Sequence, residues 1–266
     1  MLVLGFFVLG LIIGSFLNVV VLRIESDETL GGRSKCPSCG ALIRWFDNVP
    51  VVSYFILGRR CRYCRASISW QYPAVELLTG ILFAFFGSLE FGSGAPADLA
   101  AIAWTLFLIA LLTTIAVYDA RNMEIPLILL VLGIGGAIVY AFASSALAPF
   151  SWTDGLAPWR SMLFGGGLAA FIFSLLVYFS KETWMGMGDA WLAGIAGAAV
   201  GFPALLLLFT LSFSTGALVG GALMLSGKRG MKSQIPFAPF LAFATLATLA
   251  IQALDPEWLF LVLLPV

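Results

Sequence analysis

The chain has 266 residues, 61% of them hydrophobic and only 11% charged, against about 25% charged in an average soluble domain, and its mean hydropathy is +1.03. A water-soluble fold is nearly excluded, because so few ionic side chains cannot cover a soluble surface, whereas lipid tails solvate apolar side chains directly. Basic and acidic residues balance at 14 each and histidine is absent, which removes Ser-His-Asp hydrolysis, Cys-His proteolysis and the His-Glu-x-x-His zinc protease and leaves acid/base work mainly to carboxylates.

Stretches free of Asp, Glu, Lys and Arg run over 2–22, 99–118, 125–153, 161–180, 190–227 and 233–254, each long enough for the ~20 helical residues that cross a bilayer. A further candidate, 73–91, opens on Pro73, which a first helical turn accepts. The run 190–227 is too long for one span and is interrupted at Gly201-Phe202-Pro203, so it is divided into a short helix and a longer one. The expectation is an all-α polytopic membrane protein with about eight transmembrane helices. With the N-terminus outside, 13 of the 14 basic residues fall in inner loops, and Arg160 alone lies outside, as the positive-inside rule requires. The first segment carries no basic residue before its apolar run and is expected to be a permanent anchor, not a signal peptide. Gly10/Gly14, Gly197/Gly201 and Gly216/Gly220 stand at the spacing that lets helix backbones pack closely. Bundle packing is likewise expected of the clusters at Gly133 to Gly136 and Gly165 to Gly167, since neither has the strand-turn-helix setting of a dinucleotide loop.

The only extended polar segment, 23–72, carries eight basic and four acidic residues. Its excess charge is expected to face anionic headgroups; nothing points to nucleic acid. All four cysteines lie here, as Cys36-Pro-Ser-Cys39 and Cys61-Arg-Tyr-Cys64 with 21 residues between the pairs. A loop of this size lacks a substantial apolar core, and two knuckles of this spacing can complete a structural tetrahedral zinc site whose binding energy supplies folding stability. Disulfides, disfavoured in a reducing cytoplasm, and a redox Cys-x-x-Cys pair remain the alternatives. The domains expected are therefore a first helix (1–22), a cytoplasmic Cys loop (23–72) and a seven-helix core (73–266).

Acids at a membrane edge are costly and are functional candidates by default. Asp119 closes the third predicted span and Asp189 opens the sixth, after Gly186-Met187-Gly188. Alternation of spans puts both at the cytoplasmic edge, and two carboxylates close enough to share a proton can supply a base for water and an acid for the leaving group. The bland alternatives are a helix-start acid for Asp189 and an interfacial acid paired with Arg121 for Asp119. Asn18, Arg23 and Glu76 are further polar candidates near the loop. Their ordinary roles would be an interhelical hydrogen bond, a positive-inside anchor and a first-turn acid, respectively.

Six segments in order resemble the type IV prepilin peptidases, the leader peptidase/N-methyltransferases. They are Gly14-Ser15-Phe16-Leu17-Asn18-Val19-Val20 with Arg23, the two cysteine knuckles with Trp45, Asn48, Pro50 and Ser53 between them, Tyr72-Pro73-Ala74-Val75-Glu76, Tyr118-Asp119 with Ile125-Pro126, Gly186-Met187-Gly188-Asp189, and Ile235-Pro236-Phe237-Ala238-Pro239-Phe240. The resemblance covers nearly the whole chain. It implies an inner-membrane enzyme that cuts the basic leader from type IV prepilins or type II secretion pseudopilins at the cytoplasmic face, then methylates the new N-terminal amine from S-adenosylmethionine. On this resemblance Asp119 and Asp189 are the peptidase pair, and Cys36, Cys39, Cys61 and Cys64 hold zinc; no pocket for S-adenosylmethionine is identified. Leu127 and Ala238 depart from the family's usual polar residue and glycine. A peptidase without methyl transfer, or a transporter with a zinc-stabilised docking loop, are the alternative functions.

Overall fold

The computed structural model describes residues 1–91, 96–147, 158–202, 204–227 and 234–254, with backbone alone at 96–98, 145–147 and 158. Pro203, the end of the predicted span at 148–153, and Lys228, Arg229 and Lys232 of the charge count lie outside the described residues. Nine α-helices are found among those described: α1 (Leu2–Glu25), α2 (Val52–Ile56), α3 (Gln71–Glu90), α4 (Pro96–Asn122), α5 (Leu127–Leu147), α6 (Pro158–Ser180), α7 (Met187–Val200), α8 (Leu205–Leu225) and α9 (Ala238–Leu254). Apart from the five-residue α2, these are the eight apolar helices expected. The only β-pairing among the described residues is two isolated bridges in the Cys loop.

Six of the eight are long and apolar enough to cross a bilayer, while α7 and α9 are shorter. The division of 190–227 is found: α7 ends at Gly201, whose φ of 72° favours glycine. The last helix begins at Ala238 and not near Ser233, because Pro236 and Pro239 lack the N–H needed inside a helix and are accommodated only before it or in its first turn. Outward faces remain apolar, with Leu127, Val139 and Phe142 of α5 and Phe171 and Phe179 of α6 exposed, as hydrocarbon permits.

The chain divides into two compact units, Met1–Phe91 and Gly92–Val266. The boundary falls after α3, which packs along α1. Glycine makes that approach possible: a Cβ on Gly10 would lie 2.6 Å from the Thr79 carbonyl oxygen, and one on Gly14 would lie 2.7 Å from Cα of Glu76. Asn18, 1% exposed, fastens the far end by donating from Nδ2 to the carbonyls of Gly14 and Tyr72, both at 3.2 Å, which is the interhelical role expected of it.

In the second unit α6 and α7 meet through glycine in the same way, a Cβ on Gly165 or on Gly197 falling 2.5 Å from the other's carbonyl oxygen. Gly133 packs against Ile195 and Leu111, and Gly216 against Phe240. Phe173 of α6 stacks on Phe213 of α8 with ring centroids 5.7 Å apart and lies 5.9 Å from Phe237. That aromatic cluster fixes the residue just before α9, and α9 in turn packs on α4, α7 and α8.

Close helix contact is therefore set by hydrogen-for-methyl tolerance. Gly10→Ala is expected to cost about 1–3 kcal/mol through overpacking. Gly5→Ala, where a Cβ meets nothing within 4 Å, is expected to be neutral or slightly stabilising by helix propensity. Thermal unfolding of the two variants in detergent measures the difference.

Candidate active site and metal centre

The C-terminal end of α4 and the N-terminal ends of α5, α7 and α9 converge at one end of the second unit. Asp119 lies three residues before the end of α4 and is 5% exposed. Its Oδ2 accepts a 3.0 Å hydrogen bond from the Ala238 N–H, at the first residue of α9. Asp189 is the third residue of α7 and half-buried, and its Oδ2 accepts a 3.1 Å hydrogen bond from the Gly186 N–H. Both carboxylates thus face the partial positive charge of a helix start. Their charges lie within electrostatic range of each other.

Gly188 serves this convergence by being small. A Cβ there would lie 3.3 Å from Cβ of Ile125, so the segment linking α4 to α5 packs directly on the start of α7. The helix-start role considered for Asp189 is present, and it coexists with the approach to Asp119. One acid is shielded and the other is accessible, an asymmetry that sequence spacing does not contain.

In the first unit the two cysteine pairs are built alike. In each, the first cysteine's N–H donates to the carbonyl five residues on (Cys36 to Ala41, 2.9 Å; Cys61 to Ala66, 2.8 Å), and its carbonyl accepts from the N–H four residues on (Gly40, 2.9 Å; Arg65, 3.1 Å). Antiparallel bridges Lys35–Leu42 and Arg60–Ser67 close the two turns. Gly40 and Arg65 occupy equivalent left-handed positions, at φ 70° and 61°. Local sequence thus makes the same knuckle twice, the second without the glycine that this backbone favours.

The four sulfurs all lie within 4.8 Å of one another, with Cys36 Sγ and Cys64 Sγ 3.9 Å apart. A tetrahedral S₄ site with metal–sulfur bonds of ~2.3 Å has edges of about 3.8 Å, so this donor set fits a single metal ion. All four cysteines are free of disulfide bonds. The backbone N–H groups of Cys64 and Tyr63 pull the Cys61 thiol down to about 7. Cys64 is pushed up to about 11: the Ala66 N–H pulls the other way, but burial and the neighbouring sulfurs of Cys39, Cys61 and Cys36 prevail. A cation would remove that conflict by taking all four as thiolates. Around the site Arg62 makes a paired contact with Asp47, Nε to Oδ2 at 2.8 Å and Nη2 to Oδ1 at 2.5 Å, and holds the Asp47 carboxyl below its ordinary range.

The remaining candidates depart from their ordinary roles. Arg23 is buried, and its guanidinium donates to the carbonyls of Thr29, Leu30, Gly31 and Gly32, so it ties the start of the loop to α1. Glu76 lies in the second turn of α3, buried, and its Oε2 accepts a 2.7 Å hydrogen bond from the Val51 N–H. Neither contact is readable from sequence, because each joins a helix to an irregular loop.

A polytopic helical membrane protein with a convergent aspartate pair and a four-cysteine centre defines a narrow class, that of membrane aspartic peptidases carrying a metal-knuckle loop. Residues 8–89 match the Bacterial Peptidase A24 N-terminal domain and residues 106–221 the Type IV leader peptidase family. The chain belongs to the type IV leader peptidase family. Curated relatives named prepilin leader peptidase/N-methyltransferase occur in Myxococcus xanthus (34% identical, covering 86% of this chain and 65% of the relative), Bacillus subtilis (31%, covering 88% of each) and Pseudomonas aeruginosa (33%, covering 87% and 84%). No solved structure matches the chain.

The donor geometry predicts one tightly held transition-metal ion per purified chain, read by elemental analysis. Cys36→Ser or Cys64→Ser is expected to release it and to lower the unfolding temperature of the loop.

Proposed function

We propose that this chain removes the short basic leader from type IV prepilins or type II secretion pseudopilins and then methylates the amine that cleavage exposes. The observation that supports the peptidase half is the convergence, at one end of the helical unit, of the helix ends that carry Asp119 and Asp189. An aspartate pair sharing one proton can act on water from one side and on the peptide from the other. One carboxylate takes a proton from water as its oxygen attacks the scissile carbonyl carbon. The other gives its proton to the carbonyl oxygen. Collapse of the tetrahedral adduct breaks the C–N bond: the protonated carboxyl gives its proton to the departing nitrogen while the other carboxylate takes one from a hydroxyl of the adduct as the carbonyl reforms, which leaves the pair again with a single shared proton. Gly186, where a Cβ would meet nothing closer than 4.0 Å, leaves room for a peptide backbone to approach Asp189.

The orientation that suits this chemistry has the N-terminus in the periplasm and the Cys loop and both aspartates on the cytoplasmic side of the inner membrane. It follows the concentration of basic residues in predicted inner loops, and it would meet a leader kept inside by its own positive charge. Zinc is the ion that suits four thiolates at knuckle spacing. Held by Cys36, Cys39, Cys61 and Cys64 with no open position, it would cross-link a loop too small for a core and take no part in bond breaking. Methyl transfer rests on the names of the relatives. S-adenosylmethionine, when bound, would supply a methyl group on a cationic sulfur for transfer to the neutral amine that cleavage exposes.

Asp119→Asn and Asp189→Asn are each expected to lower leader cleavage by about 10³-fold or more, as loss of a member of a catalytic unit does, with the metal retained and the melting profile kept. Cleavage of a prepilin by purified enzyme, read on a gel, measures it. Normal processing by either variant would remove that acid from the chemistry. Mass spectrometry of the wild-type product, one methylene heavier than the bare cleaved chain, tests the second half.

A further inference from the structure

The short helix α2 in the Cys loop turns its apolar side outward. Val52, Phe55 and Ile56, at the i, i+3, i+4 spacing that forms one helical face, are 52%, 64% and 74% exposed, while Tyr54 is the one buried side chain of the helix. Trp45, on the single 3₁₀ turn Trp45–Asn48 that packs on α2, is exposed, and so is Trp70, directly before α3. A loop surrounded by water gains nothing from such a surface, and an exposed apolar patch of this kind marks a partner or a membrane.

Contacts within the first unit set the depth of this surface. The chain turns sharply at Val51, with φ 61° and ψ −51°, and the Val52 N–H donates back to the Pro50 carbonyl at 2.6 Å. This is a γ-turn of the rare, strained hand, centred on a β-branched residue, for which positive φ is an outlier. Such strain persists only where the surroundings enforce it. The enforcing group is Glu76, whose buried carboxylate receives the Val51 N–H at 2.7 Å. Glu76 stands five residues along α3 from its start at Gln71, about 8 Å at 1.5 Å per residue. Asn48 and Pro50, on the same turn, line a cavity of about 300 Å³ together with Ser15, Phe16 and Val19 of α1, which runs on to Glu25. The start of α2 is therefore tied to turns that lie inside two helices long and apolar enough to cross a bilayer, not to their outer ends. That is the level of the headgroups.

Charge next to α2 complements an anionic surface. Among the described residues the ion pairs of this loop are Lys35 with Glu28 and Arg62 with Asp47, so the exposed Arg59, Arg60 and Arg65 keep their charge unmatched. Arg59 closes α2, its N–H donating to the Tyr54 carbonyl at 3.0 Å. Arg59 and Arg65 both take φ 61°, and Arg65 occupies the position that Gly40 fills in the first knuckle. Arginine thus stands at two places where glycine would cost the backbone less. We infer that Val52, Phe55, Ile56 and Trp45 form an interfacial anchor seated among the headgroups of the leaflet on the Cys-loop side, with Arg59, Arg60 and Arg65 supplying the attraction to anionic phospholipid. Aromatic and aliphatic side chains beside arginine are the composition of such interfacial segments. An acidic peptide would answer the charge, but it would not account for an outward apolar helix held at the level of the second turn of a membrane span.

The test uses the purified full chain in nanodiscs of phosphatidylcholine alone or of an equal mixture with phosphatidylglycerol. Backbone hydrogen exchange over 52–60, read by mass spectrometry, reports the opening of α2. It is expected to be slower by about fivefold or more in the anionic discs, with the difference shrinking as salt is raised. Arg65→Gly relieves the backbone, so an arginine of purely structural use predicts equal or greater protection. Combined with Arg59→Gln, it is expected instead to abolish the difference between the two discs while the melting profile is kept. Phe55→Ser with Ile56→Ser, both on the outward face, is expected to speed exchange in either disc without lowering the melting temperature in detergent. Benzoylphenylalanine in place of Ile56 is expected to give a phospholipid adduct on irradiation. Wild-type exchange equal in the two discs would overturn the assignment. So would photoproducts confined to an added prepilin, which would give this face to a peptide partner.

Discussion

A carboxylate taken out of water must be given hydrogen bonds and a compensating field, or its burial costs more than a fold can supply. Asp119 meets that condition through the Ala238 N–H and the helix start behind it. Much of the second unit follows from this need. The start of α9 must stand beside the end of α4, so the prolines at 236 and 239 fix where the helix begins, and Phe237 is locked into the aromatic cluster with Phe173 and Phe213. Gly188 keeps the start of α7 small enough for Ile125 to rest on it, which brings Asp189 toward Asp119. The same helix starts that relieve burial also set the electrostatic setting in which a shared proton can be used.

The first unit answers a different shortage. Its polar loop has little apolar surface to bury, and its stability is drawn from three local devices. Two near-identical knuckles bring four sulfurs within 4.8 Å of one another, a set that could hold a metal ion, Arg23 gathers four carbonyls, and Glu76 holds one strained turn. In each case a polar or ionic group from a rigid segment satisfies backbone groups of an irregular one, which is how a loop without a core acquires a defined shape. The pairing of α1 with α3 provides the platform. It depends on glycine contacts because lipid tails compete with any apolar side chain, so that helices gain by packing closely and not by hiding from solvent.

Much of this was legible in the sequence. Hydropathy and the absence of charge over long runs gave the eight helices, and the pairs at Cys36/Cys39 and Cys61/Cys64 gave the cluster of four sulfurs, because knuckle spacing is a local property of the turn. Asp119 and Asp189 stood out because acids at the ends of apolar runs are rare. The shorter α9 was also encoded, in Pro236, but the charge-free run obscured it. Glu76 was marked as polar and misjudged as a first-turn acid: its partner at Val51 is 25 residues away on a loop, and no periodicity connects them. Arg23 was expected to serve as an anchor for the same reason. The equivalence of the two knuckles could have been found from sequence by setting Lys35 to Leu42 beside Arg60 to Ser67.

The sequence by itself determined the class of environment, the number of apolar helices, the two matched cysteine knuckles and the two acids at the ends of apolar runs, since each depends on composition or on spacing within a few residues. Tertiary structure alone decided which helix ends meet, that one aspartate is shielded and the other accessible, and that an acid of α3 holds the turn beside a cavity. Those are relations between residues far apart in the chain. They are fixed by where glycine allows backbones to touch and where buried polar groups find partners, which only three-dimensional packing can settle.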